Sequence, residues 1–377
     1  MKVSIEDTID RVDPSAWDAL ADGWFYAGHA WAVYQEQDKH STARYVHVTS
    51  GDRLVAAAAV YLVDQEWSEL YDTAVLFPDL HGSALPGKPV VLAGNRRGNS
   101  NRILVDRSHP EADAALQELV AAVNAMAERE SDGRAWWLYL GDEDTALLTG
   151  SVPTTAPRIL AADCAIELPG AGFADYLAGM SRNQRGQVKQ DRQSYQAAGY
   201  TTEAVDFRRH WEPFAPLVAR HERKHGHAVS DGFIGELMRL QAEFCGATGT
   251  VQGCWDAEGM RAGGLSFTTH AMVAGRAFGF DHPRPSASEY FELCYYRPIE
   301  KAYRDGARLL HLGIGTLQAK VRRGARVRPL WGMATGRFTE SAARTAARHN
   351  QDVWDGFRQE LVRAPHALSS TFLDRTA

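Results

Sequence analysis

An α/β (α+β) architecture of two consecutive modules, each a mixed twisted sheet flanked by helices, is what this sequence predicts. Three observations carry that expectation. At 377 residues the chain exceeds what one hydrophobic core serves, so two domains are expected. A β-hairpin pattern occurs once in each half. Each hairpin is followed by a strand, a helix and another strand, a succession that packs helices onto sheets.

The first hairpin is residues 43–63, ARYVHVTSGDRLVAAAAVYLV, two extended runs broken at Ser50-Gly51-Asp52. Arg102 to Val105 supplies the next strand. In the following helix Ser108 and Glu111 fit a capping box, and Leu116, Leu119, Val120, Val123 and Ala127 form one apolar stripe. Ala135 to Leu140, AWWLYL, reads as a buried strand. Proline and threonine in SVPTTAPR then interrupt both periodicities, which places a boundary near 151–158.

The second hairpin, TVQGCWDAEGMRAGGLSFTT, turns at Glu258-Gly259. Its second run opens with Ala262, Gly263 and Gly264, as the first one does with Ala56, Ala57 and Ala58. Arg276 to Phe280 precedes a helix from about Ala287 to Asp305, with Ser286 and Glu289 as a capping box and Gly306 as its stop. Leu309 to Leu312 follows as a strand. The expected partition is a module over 1–155, a second over 156–345 and a helical tail over 346–377, its last dozen residues poorly ordered.

Composition excludes several classes. A formal net charge of -6 argues against a protein coated in nucleic acid, and DNA is not an expected partner, although a local basic patch is compatible with it. The start, MKVSIEDTIDRV, has no continuous apolar stretch, and the longest apolar run, Leu54 to Val63, is too short to span a bilayer. A cytoplasmic protein without membrane association is expected. Cys164, Cys245, Cys254 and Cys294 form no CxxC pair, so neither a thiolate zinc site nor a disulfide framework is indicated.

Four segments bear chemistry. In SRNQRGQVKQDRQSYQAAG, Arg182, Arg185, Lys189 and Arg192 share one helical face, and Asp191 is the only acid nearby. Most such runs are solvated faces, but a soluble helix usually intersperses both signs. In HLGIGTLQAKVRRGARVRPLW, Gly313 and Gly315 follow a strand, and Lys320, Arg322, Arg323, Arg326 and Arg328 lie in a stretch without carboxylates. Strand end, glycines and cations together point to an anion or carbonyl site.

The third segment, His221-Glu222-Arg223-Lys224-His225, satisfies HExxH formally. Charged intervening residues and Gly226 argue against a buried zinc helix, and Glu236 or Glu243 would have to be the third ligand. No metal is expected. In the fourth, FGFDHPRPSASEYFELCYYRPIEKAYRDGA, Asp281 and His282 close a strand, and helical spacing puts Glu292 and Tyr296 on one face, with Phe291 and Tyr295 on a core stripe.

The order of SRNQR, FGFDH and EYFELCYYRPIEKAYRDGARLLHLGIGTLQAKVRRGA is similar to the FemAB-like acyltransferases, a group of the GNAT superfamily associated with peptidoglycan biosynthesis or recognition. Gly313, Gly315, Lys320 and Gly324 match the group's glycine turn and Lys-x-x-x-Gly run, and the resemblance extends from about Phe25 to Met333. It implies tandem GNAT-like modules and an acyltransferase that forms an amide. Two donors occur among such proteins, aminoacyl-tRNA and acyl-CoA. Coenzyme-A users of the GNAT fold cradle pyrophosphate on glycine-rich amides at a helix N-terminus. Here the equivalent stretch is DHPRPSASE, where two prolines remove donors, and Arg96-Arg97-Gly98-Asn99 has the wrong spacing. That favours aminoacyl-tRNA as co-substrate, with no tightly bound cofactor, over acyl-CoA.

In that reading an amine attacks an activated ester directly, because no GxSxG elbow or Cys-His pair is present. Asp281 accepts the amine's proton or orients it, Lys320 meets a phosphate or the oxyanion, and Tyr296 or Glu292 positions substrate. Arg182, Arg185, Lys189 and Arg192 receive tRNA, with Gly313, Gly315 and Arg323 as further binding residues. The acceptor is a small-molecule amine from cell-wall or antibiotic biosynthesis. The rivals are an acyl-CoA enzyme, a zinc hydrolase built on HERKH, and a non-catalytic binding module.

Overall fold

The computed structural model describes residues 1–80, 87–282, 286–338 and 343–369. It consists of two compact units, Met1–Asp163 with Val327–Ala377, and Cys164–Arg326. The linear partition at 155/156 and 345/346 differs from this one. Its physical reason is strand pairing: the strand Arg326–Gly336 aligns antiparallel to Arg134–Leu140, with Trp331 opposite Leu140 and Thr335 opposite Ala135, and so belongs to the first unit. The helix Ala343–Glu360 belongs there too, and residues 370–377 of the expected disordered end lie outside the described residues.

In the first unit β1 (Lys2–Glu6), β2 (Ser41–Ser50), β3 (Arg53–Val63), β4 (Val90–Ala93), β6 (Arg134–Leu140) and β13 (Arg326–Gly336) lie side by side in that order, and β5 (Leu104–Val105) pairs with β3. The predicted hairpin is β2–β3, with Ser50 opposite Arg53. β4 and β6 run parallel, Val91 opposite Ala135. The helix Ala112–Glu130 buries Leu116, Leu119, Val120, Val123 and Ala127 completely, as its 3.6-residue period requires. Each buried Leu or Val there contributes about 1.5–3 kcal/mol of hydrophobic free energy. Its capping box does not form: Glu111 is the cap residue but its side chain makes no capping bond and accepts from the Ser50 hydroxyl (2.6 Å), and the Ser108 hydroxyl donates to Asp106 (2.6 Å).

The chain leaves this unit within β7 (Arg158–Glu167). The second unit contains, in sheet order, β12 (Leu309–Ile314), β11 (Met272–Phe280), β10 (Gly259–Thr268), β9 (Gly249–Asp256) and β8 (Thr201–Asp206). It repeats the first unit's grammar, an antiparallel hairpin and third strand followed by a parallel neighbour. β11 and β12 pair only from Met272↔Leu309 to Ala274↔His311, although both strands continue. The helix Phe207–Lys224 packs on this sheet, chiefly against β11 and β10, and the helix Asp231–Cys245 packs against that helix.

After β11 the chain forms one helical turn, Glu289–Phe291, a π-turn, Glu292–Tyr296, and the helix Arg297–Asp305, which stops at Gly306 (φ 80°) as expected. Pro298 explains the π-turn. It has no amide hydrogen, and its ring would collide with the Cys294 carbonyl in an α-helix, so the preceding turn widens. The small residues of β10 have a related purpose: a Cβ on Gly264 would stand 2.6 Å from the Leu293 carbonyl oxygen. Among the described residues no helix is long and apolar enough to cross a membrane.

Candidate active site

The basic segment forms the helix Arg182–Ala197, started by a reciprocal capping box. Ser181 Oγ accepts from the Gln184 amide (3.3 Å), and Gln184 Oε1 accepts from the Ser181 amide (2.9 Å). Arg182, Arg185 and Lys189 are exposed, and among the described residues no carboxylate pairs with them. Arg185 donates to the Met180 carbonyl. Arg192 differs from the other three. Its guanidinium lies 2.5 Å from Glu300 and 3.3 Å from Glu292, with its Cζ 4.5 Å from the Phe173 ring centroid. The stripe therefore divides into three open cations and one that is ion-paired inward.

Asp191, on the opposite face, is the hub of a buried cluster. Its Oδ2 accepts from the Tyr296 hydroxyl (2.5 Å) and from Arg323 Nη2 (2.6 Å), and its Oδ1 accepts from Gln187 (3.0 Å). Arg323 is only 3% exposed and its Cζ sits 3.0 Å from the Phe291 ring centroid. Its charge is matched inside the protein rather than offered to a donor's phosphate. Burial, reinforced by the bond to Asp191, pushes the Tyr296 phenol far up, so Tyr296 is a neutral hydrogen-bond donor.

The glycine turn ends β12. Gly313 (φ 65°) and Gly315 (φ 76°) adopt the left-handed conformation that glycine tolerates without strain, and Thr316 (φ 47°) shares it. Lys320, 3% exposed, donates from Nζ to the carbonyls of Gly313 (2.9 Å) and Ile314 (2.8 Å). It braces the turn from within the protein.

Glu292, at the head of the π-turn, is 4% exposed. Arg297 Nε lies 2.9 Å from its Oε1 and Arg192 Nε 3.3 Å from its Oε2. Burial raises its affinity for a proton, and the two guanidinium groups offset that only in part. Glu292, Arg192, Arg297 and Glu300 line a cleft of about 310 Å³ with Tyr195, Tyr200 and Thr202. Asp281 stands apart: no hydrogen bond or ion pair links it to Glu292, Tyr296 or Lys320. Both its oxygens are engaged, one by Arg220 (3.2 Å) and the other by Arg261.

The HERKH segment closes the helix Phe207–Lys224. His221 Nδ1 is 3.2 Å from His282 Nε2, and Lys224 Nζ is 2.9 Å from His282 Nδ1. Glu222 bonds His227. Burial, with His225, His282 and Lys224 around it, depresses the His221 pKa to about 4. Among the described residues no three His, Cys, Asp or Glu side chains come together as metal ligands.

The sequence puts Glu292 and Tyr296 on one helical face; in the structure Glu292 lines the cleft with Arg297 and Glu300, Tyr296 instead bonds Asp191 and Arg323, and Asp191, Arg297 and Glu300 are not among the site residues expected from the sequence. The available signals were a lone acid inside a basic run and a proline two residues after Tyr296.

The sequence profile of the FemAB-like family, described as peptidoglycan biosynthesis/recognition, matches residues 8–352. The chain belongs to the FemAB-like family. Solved structures share the fold of this FemAB-like protein at low identity. FemX superposes with a TM-score of 0.63 at 11% identity, covering 89% of this chain and 97% of FemX. A conserved protein of unknown function from Bacteroides thetaiotaomicron VPI-5482 gives 0.56 at 10% identity, covering 89% and 100%. A tandem GNAT protein from the clavulanic acid biosynthesis pathway gives 0.50 at 11% identity, covering 89% and 98%. No curated protein matches the chain. The FemAB-like chain accordingly belongs to a family of peptidoglycan biosynthesis or recognition and has a GNAT-like fold, as its motifs led us to expect.

Proposed function

We propose that this FemAB-like protein is an aminoacyltransferase that moves an aminoacyl group from aminoacyl-tRNA to the amine of a small cell-wall or natural-product precursor. The observation that carries the choice of donor is Glu289. It is fully buried at the start of the helical run after β11, where coenzyme-A users present free amides to pyrophosphate. Its Oε2 accepts from the Ala287 amide (2.7 Å) and Ser286 Oγ (3.0 Å), and its Oε1 from the Tyr200 hydroxyl (2.8 Å). The protein's own carboxylate occupies that position and repels a second anion. Pro283 and Pro285, the other argument against a coenzyme cradle, lie outside the described residues. The exposed Arg182, Arg185 and Lys189 support the same donor, being spaced as point charges for a phosphate backbone.

In this reading Glu292, rather than the doubly engaged Asp281, takes the proton from the acceptor ammonium. The freed amine attacks the aminoacyl ester carbonyl, the C–N bond forms, and the ester C–O bond breaks. The ribose hydroxyl of the tRNA leaves with the proton returned from Glu292, and the surplus proton still on the attacking nitrogen then passes to the Glu292 carboxylate and from it to water, which leaves a neutral amide. General-base catalysis of this kind contributes typically 10²–10⁴-fold. Tyr296 and Asp191 hold the π-turn in place, and Lys320 holds the Gly313–Thr316 turn, whose backbone amides are the oxyanion donors.

The test is transfer of a radiolabelled amino acid from charged tRNA to a panel of small amines, with and without ribonuclease. Transfer abolished by ribonuclease is expected. Transfer that survives ribonuclease and requires acyl-CoA replaces the donor.

A further inference from the structure

We propose that the cleft beside the π-turn is the acceptor subsite and that it selects a zwitterion, a free amino acid or dipeptide, over simple amines and simple acids. The proposal rests on the transferase reading for the reaction, but its binding claim stands on the cleft alone. The charges lining the cleft are balanced, with Arg192 and Arg297 against Glu292 and Glu300. Glu292 and Arg192 are ion-paired, with a long bond from Arg192 Nη2 to Glu292 Oε1 (3.5 Å), but one atom of each makes no hydrogen bond. Glu292 Oε2 and Arg192 Nε are both buried and 3.3 Å apart, yet their geometry makes no hydrogen bond, and no other group bonds either atom. Buried polar atoms are nearly always hydrogen-bonded, so an anionic acceptor and a cationic donor left side by side call for a ligand that carries the complementary pair.

Size agrees with that chemistry. A volume of about 310 Å³ is at the small end of ligand pockets, room for roughly ten waters. The neutral hydroxyls around it are already committed. Tyr195 is 2.7 Å from Thr202, and Tyr200 donates to Glu289. Apart from the Gln196 amide, recognition is therefore left to the charges: the ligand's ammonium meets Glu292 and Glu300, and its carboxylate meets Arg192 and Arg297. The ammonium at Glu292 is then the nitrogen to be acylated, which places the reacting atom on the proton acceptor.

Calorimetric titration of the full-length protein with glycylglycine, glycylglycinamide and N-acetylglycylglycine tests this. Glycylglycine is expected to bind, and the two singly charged analogues at least about tenfold more weakly. Glu292→Gln and Arg297→Gln are each expected to weaken glycylglycine by about tenfold. Arg297 is half exposed, and the glutamine at 292 keeps the carboxylate's shape, so unchanged melting confirms that both variants fold. Equal binding of all three probes, binding indifferent to both substitutions, or no binding of glycylglycine at its solubility limit overturns the proposal. Glycylglycine binding in a protein that lacks tRNA-dependent transfer leaves the subsite intact and removes the transferase reading instead.

Discussion

Asp191 and Arg323, 132 residues apart in sequence, form a buried ion pair in which Oδ2 and Nη2 approach to 2.6 Å. Both side chains are at most 4% exposed, and Tyr296 adds a third donor to the same carboxylate. The pair ties the basic helix to the stretch after the glycine turn. Asp191→Asn leaves a guanidinium buried without its counter-charge, and the expected cost is about 3–5 kcal/mol. Tyr296→Phe removes two hydrogen bonds, the one its hydroxyl donates to Asp191 and the one it accepts from Arg323 Nε (3.2 Å), and costs about 1.5–3 kcal/mol, because Arg323 Nε keeps its second acceptor in Asp191. Denaturant midpoints of the two variants against wild type check both figures.

Lys320→Met removes two charge-assisted bonds to the Gly313 and Ile314 carbonyls. Each is worth about 1.5–3 kcal/mol, so the turn is expected to open locally. Amide exchange at 313–316 should accelerate and transfer activity should fall. Unchanged exchange there would separate Lys320 from the turn.

Charge reversal at Arg185 and Lys189 tests the donor surface. Both side chains are solvent-facing, so the fold should tolerate the change. If both contact phosphates, the slope of log affinity for tRNA against log salt should shallow by roughly 1.4–1.8. A filter-binding titration at several salt concentrations measures this directly.

The histidines predict a pH dependence of stability. His221 titrates near 4 in the folded protein, against an ordinary value near 6.5, because it is buried and lies beside His225, His282 and Lys224. Between these values the unfolded chain binds the additional proton. The stability associated with a neutral His221 is therefore present above about pH 6.5 and lost as pH falls toward 4. His221→Asn should flatten that limb of the stability curve, measured by thermal melting from pH 7 to pH 4.

Much of this was legible from local pattern. Both hairpins, the apolar stripe from Leu116 to Ala127, and the Gly306 stop follow from periodicity and backbone preference alone. So does the left-handed turn at Gly313 and Gly315. What local pattern misses is pairing across sequence distance. Strand β13 follows the second unit along the chain yet joins the first through β6, and nothing in Arg326–Gly336 marks that choice. Charge runs are ambiguous for the same reason. Arg192 and Arg323 look like their exposed neighbours in sequence, but Glu300 and Asp191, more than one hundred residues away, turn them inward. Asp281 sits at the strand end that invites a catalytic role, and Arg220 and Arg261 claim its oxygens.

In the proposed reaction Glu292 accepts the proton while tRNA carries the acyl group. Single-turnover transfer from preloaded aminoacyl-tRNA, comparing wild type with Glu292→Gln at saturating tRNA, tests it most directly. Unchanged tRNA affinity and a transfer rate lower by about 10²–10⁴-fold are expected, with the wild-type rate rising with pH as the buried carboxyl ionises. A variant that transfers at the wild-type rate contradicts it.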